Sequence, residues 1–397
     1  MRYRVLAIRN IRGPSGPPYE RSAMTADSVQ SQRLERLQTY LEADPQNVRL
    51  REDLFEGALE AGNFSLAAQQ VDAMLGTDAN SQPWEHRRAV LLLAQKRYVD
   101  AQAVLEALVT AGANNPVVLY NLAFSLFGQG QFEAARDRLS SLLYQSQENA
   151  AQPALALWLR CQHHLGQLND GLGRFNELFA SQPVSAEATG VASLMAFDAG
   201  RLADAAAWSS QALNGNPGQL EALVCQGSLL LGRQDVEAAI ATFQLALTQS
   251  PNDGRSWSGL AFANLLEQRF EQAHAAFGNA VAHMTDHIGT WIGLGWCEFM
   301  RRDLSAARRA FASALALDRN FAESHGSMAV ILATEGKRAE AAWEIELALG
   351  LDKGCLSARY AQAVLSGEVN DPVAFRKLAT RVLAQHPGFA HGQSFRS

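Results

Sequence analysis

This chain of 397 residues has little proline, little cysteine and no long apolar run. Its 12 prolines leave room for many uninterrupted helices, because proline ends a helix wherever it enters the interior. No stretch approaches the roughly 18 apolar residues that a membrane-spanning helix needs, so no span is expected. The 4 cysteines, Cys161, Cys225, Cys297 and Cys355, stand 64, 72 and 58 residues apart. That spacing excludes a local zinc or redox motif and predicts buried thiols in a reducing cytoplasm.

Catalytic signatures are also missing. There is no phosphate loop, nucleophile elbow or paired-carboxylate motif. His163 adjoins His164, and His283 stands four residues before His287, but neither pair has the spacing of a zinc site. Gly289, Gly293 and Gly295 have no strand before them, so a dinucleotide-binding reading fails. The expectation is a non-enzymatic chain with no cofactor, no metal and no small-molecule substrate.

The net charge is −6, unevenly distributed. Within residues 1–23, Arg2, Arg4, Arg9, Arg12 and Arg21 against Glu20 give +4, which leaves −10 on the remainder. An acidic body argues against nucleic acid as a partner. Residues 1–26 read as a disordered basic extension, broken by Gly13, Pro14, Gly16, Pro17 and Pro18, ahead of a chain that begins in earnest at Met24. An organelle presequence and a basic tether for an acidic partner are the other readings of this segment.

What the chain does have is a period of 34. Trp257 and Trp291 are separated by it, as are Phe243, Phe277 and Phe311, and Ala239, Ala273, Ala307 and Ala341. A fixed period of this length marks a helical solenoid. Numbering positions 1–34 from Val48 gives repeats over 48–149 and, after the insertion Ala150–Ala151, over 152–389. Residues 27–47 read as a capping half repeat and 390–397 as a tail. Position 8 is small in most units (Ala123, Ser193, Gly227, Ala261, Gly295, Ala329, Ala363), and so is position 20 (Ala67, Ala101, Ala135, Ala205 and the alanines above). Position 24 is large and apolar in most units: Val71, Leu105, Leu139, Phe175, Phe243, Phe277, Phe311 and Ile345. Small residues let two helices approach while the large ones interlock. Glycines 62, 130, 166, 200 and 336 mark the turn inside the hairpin, and prolines 45, 183, 217, 251 and 387 its end. Two units depart from the pattern: 152–185 pairs Leu159 with Gly171, and 356–389 places Phe375 at the alanine site.

This spacing resembles the tetratricopeptide repeat family. The clearest match is 288–321, where Trp291, Leu294, Gly295, Ala307, Phe311 and Ala314 occupy the signature positions. The resemblance implies an all-α, right-handed superhelical solenoid of about ten helix-turn-helix repeats. It further implies that the first helix of each repeat lines a concave groove for a protein or peptide partner. By that implication Glu52, Asp53, Glu56 and Glu60 form an acidic end. Tyr120, Phe124 and Phe127 follow, then Arg160, His163 and His164. Phe262, Leu265, Leu266, Ile292, Trp296, Phe299 and Met300 make a strongly apolar stretch.

The expected groove is therefore Tyr120, Phe124, Phe262, Leu266, Ile292, Trp296, Phe299 and Met300, read as partner anchors against the alternative that they pack on adjacent helices. Arg201, Arg233, Arg269, Arg301, Arg302, Lys337 and Arg338 fall at the stacked turns and suggest a basic rim, or simply polar turn chemistry. The family's lysine/asparagine/arginine clamp for a chain-terminal carboxylate is missing, as no asparagine occupies position 9. An asparagine ladder is missing too, with only Asn121 at position 6. The reading is a cytoplasmic interaction scaffold or chaperone-like adaptor. The alternatives are a regulatory or assembly subunit of an enzyme, secretion, pilus or envelope complex, and, less favoured, a nucleic-acid-binding solenoid. Self-association through the apolar groove is a further expectation.

Overall fold

The computed structural model describes residues 23–76, 81–145, 151–181 and 183–367. Among these the chain is all-α and forms a solenoid of helical hairpins, with twenty helices and no strand. A single helix α1 (Ala23–Ala43) is followed by nine hairpins: α2 (Val48–Glu60) with α3 (Phe64–Leu75), α4 (Ser81–Ala94) with α5 (Tyr98–Thr110), α6 (Pro116–Gly128) with α7 (Phe132–Gln145), α8 (Ala151–His164) with α9 (Leu168–Ser181), α10 (Ala186–Asp198) with α11 (Leu202–Gly215), α12 (Leu220–Gly232) with α13 (Val236–Gln249), α14 (Gly254–Leu266) with α15 (Phe270–His283), α16 (Ile288–Met300) with α17 (Leu304–Leu317), and α18 (Ala322–Thr334) with α19 (Arg338–Leu351). Helix α20 (Leu356–Ser366) opens a tenth. Its expected second helix with Phe375, Pro387 and the 390–397 tail lie outside the described residues, as do residues 1–22 of the N-terminal segment. Helix α1 starts at Ala23, inside the stretch expected to be irregular, because the last proline before it is Pro18.

The residues form two compact units, Met1–Gly171 and Leu172–Ser397. In unit 1 a core of Leu34, Leu54, Phe55, Ala67, Val71 and Trp84 knits α1 to the first two hairpins. In unit 2 the phenylalanines at position 24 act as knobs. Phe243, Phe277 and Phe311 are fully buried. A Cβ on Gly227 would lie 2.8 Å from the Phe243 ring, one on Gly259 2.3 Å from it, and one on Gly295 2.3 Å from the Phe311 ring. Each ring therefore fills the space that a missing side chain leaves on its own first helix or on the next one.

Two further features recur with the period. The residue at position 15 adopts positive φ in nine successive hairpins: Gly62, Lys96, Gly130, Gly166, Gly200, Gln234, Gln268, Arg302 and Gly336. The left-handed conformation is free for glycine but strained for the other four. Arg302→Gly is thus expected to stabilise unit 2 by roughly 0.5–1 kcal/mol in chemical denaturation, the relief of strain less glycine's entropy cost. A loss of stability instead would mean that the arginine side chain outweighs its backbone strain.

The second feature is a hydrogen bond from position 4 to the carbonyl six residues earlier. Arg51 donates to Pro45 O, Trp257 to Pro251 O (2.7 Å), Trp291 to Thr285 O (2.8 Å) and Arg359 to Lys353 O. His325 makes the same bond through Nε2 to Arg319 O at 2.8 Å. Tryptophan, histidine and arginine all fit this site because each can place an N–H there.

Candidate first-helix binding face

The residues expected to line an apolar groove do not share one environment. Phe262, Ile292 and Trp296 retain only 6%, 4% and 8% of their surface, so they are core residues and not exposed anchors. Phe262 packs edge-on against Phe277, with ring centroids 5.1 Å apart, and reaches to 2.7 Å from where a Cβ on Gly293 would stand. Trp296 meets Phe299, Phe311 and Tyr360 at 5.6, 5.8 and 5.9 Å. Tyr360 belongs to α20, two repeats beyond α16, so the indole is covered from across the intervening helix. Arg255 on α14 likewise spans two repeats, gripping the buried Asp198 carboxylate of α10 through both terminal nitrogens at 2.9 and 3.0 Å. The first-helix face of unit 2 is largely filled by its own side chains. Leu266, Phe299 and Met300 remain half-buried.

The rim is not a plain cationic ridge either. Arg269 pairs with Glu237 of the preceding hairpin, and Arg301 with Glu271 (3.0 Å) and the buried Glu298 (2.7 Å). Arg308 and Lys337 converge on Glu335, whose carboxyl they hold down at about 2. Arg302 and Arg338 are exposed. Opposite charges alternate along the turns, which weakens the field a polyanion would feel.

Unit 1 keeps its rings accessible. Tyr120, Phe124 and Phe127 on α6 are half-buried, whereas their counterparts at positions 9 and 12 in α10, Leu194 and Phe197, are buried. Tyr98 lies edge-on to Phe124 at 6.3 Å, and Tyr120 stacks near Phe124 at 6.5 Å. Phe132 lies 5.3 Å from Phe127, and the exposed His164 imidazole stacks on Phe132 at 4.3 Å, nearly parallel. Tyr98 occupies the place of a Cβ on Gly128, 2.6 Å away, so the absence of that side chain seats the ring. A band of rings therefore runs from α5 across α6 and α7 to α8. Tyr98 and Phe132 stand at position 17, the start of a second helix. Sequence reasoning missed them because apolar residues such as Phe64, Leu168, Phe270 and Leu304 recur there in most repeats, whatever surrounds them.

The polar groups beside the band are neutral or internally paired. Burial, with Arg87 next to it, pushes His86 down to about 4, and its Nε2 meets Asn121 Nδ2 at 3.0 Å. Burial raises Tyr98, keeping its phenol protonated. Gln129 donates to Gln102 Oε1 at 2.7 Å and to Ser125 O at 3.1 Å. Beyond the band, Asp53, Glu56 and Glu60 are exposed on α2, and Glu52 is paired with Arg87 at 2.7 Å.

Among the described residues no group of three or more histidine, cysteine or acidic side chains is placed to hold a metal ion, and no helix is long and apolar enough to cross a membrane. All four thiols are free and buried, and burial pushes Cys161, Cys225 and Cys297 up to about 12 and Cys355 upward as well. Thiolate chemistry is suppressed at all four.

Two family models described as tetratricopeptide repeat match the chain, one over residues 92–158 and 264–331, the other over 164–219 and 224–287. Among solved structures it is similar to a tetratricopeptide repeat protein from Parabacteroides merdae, at 15% identity over 62% of this chain and 97% of that one, with a TM-score of 0.42. It is also similar to YrrB, described as a tetratricopeptide repeat protein with an unusual peptide-binding site, at 18% identity over 45% and 92%, with a TM-score of 0.37. The crystal structure of MamA matches at 18% identity over 40% and 92%, with a TM-score of 0.35. No curated protein matches the chain.

Proposed function

This chain belongs to the tetratricopeptide repeat family, and we propose that it is a non-enzymatic scaffold that holds a segment of a partner protein on the ring band of unit 1. The observation that carries this reading is the half-exposure of Tyr120, Phe124 and Phe127 at positions where α10 is buried. These rings pack on one another yet keep part of their surface in water, and aromatic side chains anchor protein partners well. The anchors first expected at Phe262, Ile292 and Trp296 are not part of this proposal, because nothing can reach them without opening the core. The paired rim gives the nucleic-acid alternative no support. Four buried, unbridged cysteines fit the reducing cytoplasm in which we place the scaffold.

The test is selection of a displayed random-peptide library against the folded chain. Enriched peptides are then measured against a Phe124→Ala/Phe127→Ala variant and a Trp343→Ala variant. Trp343 is 59% exposed on α19 and serves as an unrelated aromatic control. The expected result is a loss of about 2 kcal/mol, near thirtyfold in Kd, for the double variant only, with circular dichroism melts showing it folded. Peptides that bind the double variant as tightly as the parent would overturn the assignment.

A further inference from the structure

Positions 22, 26 and 30 of the repeat share one face of the second helix, because residues four apart stack on a helix surface. In unit 2 this face is open to water. Ala241 and Leu245 on α13, Ala275 and Asn279 on α15, and Arg309 and Ser313 on α17 are all exposed or half-buried there. Each of these hairpins is followed by another, so a following hairpin leaves the face uncovered. Most residues on it are accordingly small or polar.

Helix α19 breaks that rule. Its three positions hold Trp343, Leu347 and Leu351. The indole is 59% exposed and Leu351 46%, with Leu347 half-buried between them. A single exposed leucine is ordinary, but a contiguous apolar stripe on a face that the fold itself does not cover marks an interaction surface.

The stripe has a bulky end and an open end. Gly350 lies seven residues beyond Trp343, about 10 Å along the same side of the helix. It is exposed, and a Cβ added there would meet nothing within 4 Å. The flanking charges have opposite signs: exposed Glu340 stands one turn before the indole, and exposed Lys353 just after the glycine. Laying a second α19 antiparallel on the first, about a two-fold axis near Leu347, brings Trp343 of each copy onto Gly350 of the other and Glu340 onto Lys353. The one operation matches large to small and acid to base, each twice, as an isologous interface requires.

We propose that α19 is a homodimerisation surface, on which a second copy of this chain packs antiparallel through Trp343, Leu347 and Leu351. This does not depend on the ring band, which lies in unit 1. A stripe of three side chains falls short of the roughly 1,200 Å² that a standard interface buries, so the dimer is weak, with Kd about 10–100 µM.

Sedimentation velocity of the full chain, from about 5 to about 200 µM in about 0.05 M NaCl, tests this. The sedimentation coefficient should rise with concentration. Trp343→Ala should weaken dimerisation at least about tenfold, since each dimer loses two indoles. Leu245→Ala, which removes an exposed leucine from the same face of α13, should leave it unchanged. Circular dichroism melts of both variants should match the parent, because both side chains lie at the surface. Glu340→Lys and Lys353→Glu should each weaken the dimer about threefold, and combining them should restore it. A chain that stays monomeric at about 200 µM would overturn the proposal. So would a dimer that survives Trp343→Ala. A combined charge variant no tighter than the single reversals would overturn the antiparallel seating.

Discussion

Phe311→Ala is expected to lower the stability of unit 2 by about 3–5 kcal/mol in chemical denaturation, the range for emptying a fully buried phenylalanine site. The ring has no solvent exposure, lies against the glycine face of α16 at Gly295, and supports Trp296 at 5.8 Å. Relaxation cannot fill the gap cheaply, because Trp296 is itself fixed from the far side by Tyr360. The pair also offers an internal check. Gly295→Ala alone would press a methyl group into the ring and cost about 1–3 kcal/mol. Combined with Phe311→Leu, the same methyl has somewhere to go, so the double variant should be more stable than the sum of its parts predicts. A cost below about 1 kcal/mol for Phe311→Ala would show that the ring is not the knob described here.

The second large effect is a loss of stability in acid. His287 sits where other repeats carry Asn47, Asn115, Ser185, Gln219 or Asp253 as the cap of the first helix. Its Nδ1 accepts from Thr290 N–H at 3.2 Å. Burial, with Arg255 as the next contributor, pushes it from 6.5 down to about 4, while Asp286 and Asp198 pull weakly the other way. The folded state therefore binds this proton less readily than the unfolded chain does. The neutral form's stabilisation is fully present above pH 6.5 and is lost as pH falls toward 4. Each tenfold difference in proton affinity is worth about 1.4 kcal/mol, so the full loss is of order 3 kcal/mol. His287→Asn keeps an acceptor for the helix end, as Asn47 and Asn115 do, and removes the titration. Denaturation of unit 2 followed from pH 7.5 to 4 should fall steeply in the parent and more gently in the variant. Parallel slopes would sink the assignment. His86, held at about 4 in unit 1, predicts the same sign of pH dependence there.

The period of 34 made the repeat legible because packing imposes it on single positions. Ala239, Ala273, Ala307 and Ala341 are all fully buried, as a site facing another helix at close range requires. The small-against-large pairing of Gly295 with Phe311 follows directly from that pattern. The αL turn was visible at its five glycines but not at Lys96, Gln234, Gln268 and Arg302, where the fold imposes positive φ on residues that do not prefer it. The cap role of His287 was hidden too, since a histidine four residues after another invites thoughts of metal, and only its contact with Thr290 N–H shows otherwise.

Sequence by itself determined the fold class and the identity of the knobs, because those depend on contacts within a repeat and its neighbour that recur at fixed spacing. Which rings of the first helices meet water was decided only by the tertiary structure. Trp296 and Phe124 occupy the same repeat position with the same aromatic character. One is buried because Tyr360 reaches it from two repeats away, while the other stays half-open. A period of 34 describes nearest neighbours and carries no information on contacts that skip a repeat, and here such contacts bury Trp296 in unit 2.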